Sequence, residues 1–288
     1  MIPGPVIPGP SPPTPPPIDL RIHCHVGDTI PSPDRRRRSG RRNRRLHRHH
    51  HPSRHLTRPQ LPHPLAAPPD RRLSHHGHVR LEAITWERLG DHLADRLLDL
   101  KPADGSPWPR VALDGAPAAR PGELAERVGE ALRVRGRPSL VVGVEGFLRP
   151  ASLRLEYGHQ DLEAYYNGWF DTAALWREVF GPLEPGGDGR VLPDLWDPVT
   201  DRATRSPYAQ LPPGGVLLLH GPLLLRHWFP FDLSVHVLLS EGALRRRTPE
   251  SDHWTLPAYE RYAEETDPAD TADVLVRADD PRHPAWSG

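Results

Sequence analysis

Five short apolar runs constrain this chain more than any other feature: RVALD (110–114), SLVVGVE (139–145), GVLLLHG (215–221), FDLSVHVLLS (231–240) and ADVLVRADD (272–280). Most lack a clean in–out alternation, so both faces of each strand must be buried. Segments of helical period separate them. TWERLGDHLADRLLDL (85–100) places Trp86, Leu89, Leu93, Leu97 and Leu100 on one face, with Thr85 as a candidate cap. PGELAERVGEALRVRG predicts a helix with Pro121 in its first turn and Gly136 past its end. DLEAYYNGWF and DTAALWREVF each begin on an Asp suited to cap a helix, and EGALRRR and LPAYERYAEET are two more helices. EPGGDGRVLPD (184–194) reads as a loop and ADVLVRADD as the last strand. Strands alternating with helices give an α/β domain with a mostly parallel sheet covered on both faces. Ligands of such sheets bind at the carboxyl ends of the strands, here Asp114–Gly122, Glu145–Arg149 and His220–Pro222.

This pattern occupies residues 79–288. Residues 1–78 differ: they hold 17 of the 38 prolines, 11 of the 18 histidines, and 14 Arg against 4 Asp, a charge of 14 − 4 = +10. The whole chain is formally neutral, so residues 79–288 carry −10. PGPSPPTPPP and RRRRSGRRNRRLHRHHH show no sustained apolar period, and such a composition predicts a disordered tail. A basic tail could bind nucleic acid or an anionic membrane; the reading favoured here gives it no such role. Ordered sequence begins at Val79, and GTG, a valine codon, can initiate translation, so a start at Val79 is also compatible with the sequence. Cys24 is the only cysteine and lies in the tail, so no disulfide or cysteine metal site is expected in 79–288. HCH (23–25) in the tail lacks the fixed geometry a metal site needs. No apolar run reaches 18 residues and the N-terminus lacks a signal-like apolar core, so a cytoplasmic protein without a membrane partner is expected.

One stretch points to chemistry. VALDGAPAARPGELAERV (111–128) is strand, small-residue loop and helix, the outline of a phosphate-binding loop. Such a loop follows GxxxxGK[ST]: glycines let backbone N–H groups wrap phosphate oxygens, the lysine neutralises charge and the hydroxyl holds Mg²⁺. Gly115 fits the first position, but Arg120 stands for the second glycine, Pro121 for the lysine and Gly122 for the hydroxyl residue. Lys101 is the only lysine in the chain and lies outside the loop. A plain strand–turn–helix fits these residues as well as an anion site does.

In the order of its segments the chain from Arg80 to Trp286 resembles the uridine kinase family of P-loop nucleoside kinases. VALDGAPAARPGELAERV is similar to that family's strand, P-loop and helix; SLVVGVEGFLRP (139–150) to its second strand; RLEYGHQDLEAYYNGWFDTAAL (154–175) and GPLEPGGDGRVLPDLWDPVTDR (181–202) to its acceptor side; GVLLLHGPLLL (215–225) to its Walker-B strand; and FDLSVHVLLS with the following arginines to the strand and lid. The resemblance implies a three-layer P-loop NTPase fold with a helical lid, nucleotide and nucleoside ligands, ATP and Mg²⁺ as cofactors, and phosphoryl transfer to a nucleoside 5′-hydroxyl. It implies Glu145 as the base, Gly115, Ala118, Ala119, Arg120 and Gly122 with lid residues Arg245, Arg246 and Arg247 at the phosphates, and Arg149, Tyr157, His159, Tyr166 and Asp197 at the acceptor. Tyr165 and Tyr166 suit helix packing equally well, and Asp171 suits a helix cap. His220 stands where the Walker-B turn has a carboxylate, and Mg²⁺ prefers hard oxygen ligands. Lysine, hydroxyl and acid are therefore missing together. Two readings stand side by side: a nucleoside kinase with an altered phosphate site, and a pseudokinase that keeps the fold and serves as a nucleotide-binding or regulatory module.

Overall fold

The computed structural model describes residues 81–287. Nearly all of segment 79–288 falls within this range. The tail expected over 1–78, with Cys24 and its histidines, lies outside the described residues. Seven strands form one sheet: β1 (Glu82–Ala83), β2 (Arg110–Asp114), β3 (Ser139–Gly143), β4 (Val216–Gly221), β5 (Leu233–Leu238), β6 (Val274–Arg277) and β7 (Ala285–Ser287). Their order is β1-β7-β6-β5-β2-β4-β3. The five strands from β2 to β6 are parallel, in keeping with the mostly unalternated apolar runs; β7 and β1 close one side antiparallel. ADVLVRADD is thus the last parallel strand, with β7 after it. Two residues of the predicted loop 184–194 also pair, Arg190–Val191 with Ala209–Gln210.

Helices α1 (Trp86–Leu98) and α2 (Pro121–Val134) cover one face. Thr85 caps α1 through Arg88 N at 3.3 Å, and Pro121 takes the first position of α2. Leu89, Leu93, Leu97, Leu124, Val128 and Leu132 meet Val111, Leu113, Leu218 and Val235 there in one core. The opposite face is covered by α3 (Leu162–Gly168), α4 (Thr172–Leu175, continued by a π turn to Phe180) and α6 (Leu256–Thr266). Asp161 and Asp171 cap α3 and α4, accepting from Ala164 N at 2.7 Å and Ala174 N at 2.9 Å. Helix α5 (Glu241–Arg247) follows β5.

The sheet reverses direction of growth at β2. The chain leaves β2 for the far edge at β3, returns to insert β4 between them, and then crosses to β5 and β6 on the other side. The carboxyl end of β2 therefore faces a crevice of the kind in which ligands of α/β sheets bind. Asp114, the last residue of β2, lies in register between Gly221 of β4 and His236 of β5.

Candidate functional site

Eight residues after β2 decide what this crevice can hold. Gly115 N donates to Gly221 O at 3.1 Å. Pro117–Ala119 form a 3-10 turn, with Ala119 N bonded to Ala116 O at 2.8 Å and Arg120 N to Pro117 O at 3.0 Å. Pro117 and Pro121 have no N–H to give. Of the eight positions from 115 to 122, two lack a donor and three spend theirs on the fold, where an anion cradle would aim them at a ligand. Ala119 is buried and Ala118 packs on the same core as Ala243 and Leu244 of α5, so the turn is fastened to the sheet by apolar contacts.

Arg120 has left-handed backbone, φ 56° and ψ 50°. It keeps the conformation that glycine serves in the motif while bringing a side chain that is 72% exposed and paired with Glu123 Oε1 at 3.1 Å. Its charge faces solvent on the first turn of α2. Over the start of that helix lies His220: a Cβ added to Gly122 would stand 2.9 Å from the imidazole Cε1. The ring packs against the first turn of α2 beside Gly122.

Glu145 was expected at the end of the second strand. The strand stops at Gly143, and Val144–Phe147 form a 3-10 turn anchored by buried Phe147. The carboxylate folds back over Gly143, is 58% exposed, and lies 3.9 Å from His220 Nε2. Glu145, His220 and Gly122 thus come together at the ends of β3, β4 and the start of α2.

The other expected residues are placed by their own contacts. Arg247 donates to Ala278 O at 2.9 Å and Asp279 O at 2.6 Å, tying α5 to the end of β6, while Arg245 and Arg246 are exposed. Tyr166 is buried, with its hydroxyl on Glu265 at 2.9 Å and its ring between the guanidinium groups of Arg226 and Arg261, 3.8 and 4.3 Å from the centroid. Tyr165 bonds to the Tyr259 hydroxyl at 2.6 Å, and burial pushes its pKa up to about 12. Both side chains take part in the packing of α3 against α6. Tyr157 and His159 are exposed. Arg149 contributes its backbone: its N–H donates to Trp169 O at 2.8 Å and its carbonyl accepts from Arg154 Nε at 2.6 Å. Asp197 holds its own turn, accepting from the Thr200 hydroxyl at 2.6 Å and Val199 N at 2.9 Å, and these bonds keep its carboxyl below the usual range.

A pair not anticipated from the sequence lies beneath the crevice. The carboxylate of Asp114 is fully buried; Oδ2 meets His236 Nδ1 at 2.6 Å and Oδ1 accepts from Leu224 N at 2.8 Å. Tyr262 packs beside them with its hydroxyl pKa raised by burial and by the Asp114 charge. The carboxylate at the end of β2 therefore joins β2, β5 and the turn after β4 rather than facing a ligand. The one available signal was a histidine inside a mostly apolar strand.

No family model matches the chain, and no curated protein does. Solved structures do. A structure described as a possible uridine kinase from Bacillus stearothermophilus superposes with a TM-score of 0.54 at 20% identity, over 65% of this chain and 96% of that one. A "putative fructose transport system kinase from Silicibacter sp. TM1040" matches with a TM-score of 0.46 at 22% identity, over 65% of this chain and 91% of that one. The chain has the fold of the P-loop kinases. Within that class its likeness is to a uridine-kinase-like structure, with the parallel sheet and flanking helices described above.

Proposed function

We propose that this protein is a catalytically silent relative of the nucleoside kinases, a module that acts by binding rather than by phosphoryl transfer. The observation that carries this reading is the closed turn after β2. Of its eight backbone positions, three spend their donors on Gly221 O, Ala116 O and Pro117 O, and two, Pro117 and Pro121, have none. ATP with Mg²⁺ does not fit these residues. No lysine or hydroxyl follows the turn, His220 replaces a hard oxygen ligand, and Asp114 is committed to His236 and Leu224. Loss of one preorganised donor typically costs about 3 kcal/mol of transition-state stabilisation. Three such losses, even if not additive, leave little of a kinase.

A second reading, ATP-dependent phosphorylation of uridine or another nucleoside, draws support from Glu145 and His220 meeting beside the start of α2. There Glu145 would be the base and Arg120 with the arginines of α5 the cationic clamp. Titration calorimetry of the full chain with Mg-ATP and with adenosine, followed by transfer assays on a nucleoside panel, separates the two. The silent module shows no γ-phosphate-dependent gain in affinity and no transfer. Turnover that disappears in Glu145→Gln and falls in Arg120→Ala would establish the kinase and overturn the first reading.

A further inference from the structure

The two edges of the sheet are treated differently. One ends in β1, a two-residue antiparallel strand carrying Glu82, a short and charged edge of the kind that resists pairing. The other ends in β3, SLVVG, with neither charge nor proline along its five residues. Val216 N donates to Pro138 O at 2.9 Å, and the parallel register sets Ser139 opposite Val216. In that alternation the backbone groups of Leu140 and Val142 face β4, and those of Ser139, Val141 and Gly143 face outward. Among the described residues, no turn or loop backbone bond takes the outward groups of Ser139 and Val141, while Gly143 leads into the 3-10 turn that follows. A cleft of about 690 Å³ runs beside this edge, with α2 on one side and Gln210–Pro212 on the other.

We propose that the β3 edge is a self-pairing surface, on which a second copy of this chain docks antiparallel to make one continuous sheet through a two-fold axis. Charge along α2 argues for this occupant. The cleft is lined by Glu126 and Glu130 of α2, by Arg133, which also pairs with Glu130 of its own helix through an exposed contact of 2.5 Å, and by Arg137 past the helix end. A two-fold axis sets the acidic part of one helix against the basic part of its copy. The register follows from Gly129, where a Cβ would lie 3.3 Å from Val141 Cγ2 and 3.4 Å from Ser139 Oγ; Gly129 thus sits at the level of Leu140. Centring the axis on Leu140 opposes Ser139 to Val141 of the copy, two residues whose N–H and C=O both point outward. The same axis sets Glu126 against Arg133 of the copy, because they lie three and four residues either side of Gly129. The backbone parity and the charges select one register. An isologous interface needs this self-complementarity.

Sedimentation velocity on the full chain, from about 1 to 100 µM, reads the association. The expected result is a monomer–dimer equilibrium. Ser139→Pro removes an outward N–H at the first residue of a strand, where proline is tolerated, and leaves the bonds to β4 intact; it yields a monomer. Glu126→Arg and Arg133→Glu each weaken the dimer by about tenfold or more, and the double exchange restores it to within about threefold of the native chain. The Ser139 and Val141 amides exchange more slowly in the dimer than in the diluted monomer. A chain that stays monomeric throughout overturns the proposal and leaves the edge to a strand of another protein. A dimer indifferent to all of these variants, or single reversals that the double exchange does not rescue, overturns it equally.

Discussion

Gly115 and Gly122 bracket the turn after β2, and they resist a side chain to different degrees. A Cβ at 115 would lie 2.8 Å from the carbonyl oxygen of Val237 and 3.3 Å from its Cβ, so the obstacle is the backbone of a central strand. At 122 the obstacle is the His220 ring, a side chain 16% exposed that can swing away. Alanine at 122 also gains helix propensity on the first turn of α2. Gly115→Ala is therefore expected to lower stability by about 1–3 kcal/mol through overpacking, whereas Gly122→Ala stays within about 1 kcal/mol of the native chain. Urea unfolding midpoints of the two variants check this. Equal losses would mean that the imidazole is held as firmly as the strand. The contrast bears on the site, because a ring that gives way at Gly122 makes room beside the start of α2, while the contact at Gly115 fixes the turn itself.

At the scale of elements, the stretch from Gly221 to Asp232 connects β4 and β5 and runs down the face of the sheet. It begins at Leu224 N on Asp114, passes Leu225 N on the Tyr262 hydroxyl at 3.0 Å, and ends with Asp232 N on Arg110 O at 2.7 Å. His227 lies midway, and burial, aided by the Arg226 charge, lowers its pKa to about 4. The unfolded chain, with histidine near its ordinary 6.5, binds more protons than the native chain between these values. The contribution of a neutral His227 is thus complete above pH 6.5 and is lost as pH falls toward 4, by roughly 3 kcal/mol at most. His227→Gln should flatten the stability profile in that window while leaving the steeper carboxylate-driven loss below it; an unchanged profile would refute the assignment. Elements of this kind were the hardest to read. The ends of β2 and the start of α2 are plain in RVALD and PGELAERV, because strand period, proline and small-residue loop agree there. β1 and β7, two and three residues long, are too short to carry a period and exist through pairing alone. β3 ends at Gly143 because Phe147 must turn inward to its core. Missing residue types made the defective loop legible, but its closure into a 3-10 turn rests on backbone bonds that no side chain announces. The pairing of Asp114 with His236 spans 122 residues, and its one local trace is a histidine within a mostly apolar strand.

At the scale of the whole molecule, charge divides the chain into a basic and an acidic segment. Every described strand and helix lies between Glu82 and Ser287, and both faces of the sheet are covered by elements from that range. Residues 79–288 carry −10 and residues 1–78 carry +10, which brings the full chain to a pI near 7.4. A chain of zero net charge lacks the self-repulsion that opposes association. A protein begun at Val79 should therefore focus well below the full chain, remain dissolved at pH 7.4 where the full chain is least soluble, and melt within about 2 °C of it, since a loss of 1 kcal/mol would move the midpoint of a domain this size by about 2–4 °C. Isoelectric focusing and thermal melting of the two proteins side by side test both halves of the expectation. A midpoint lowered by about 5 °C or more would mean that residues before Val79 contribute to the folded state, and the +10 segment would then be read as a stabilising counterweight to an acidic domain. An unchanged midpoint with a shifted isoelectric point confines the basic segment to solubility and association, and leaves the β3 edge to work in a domain that folds by its own contacts.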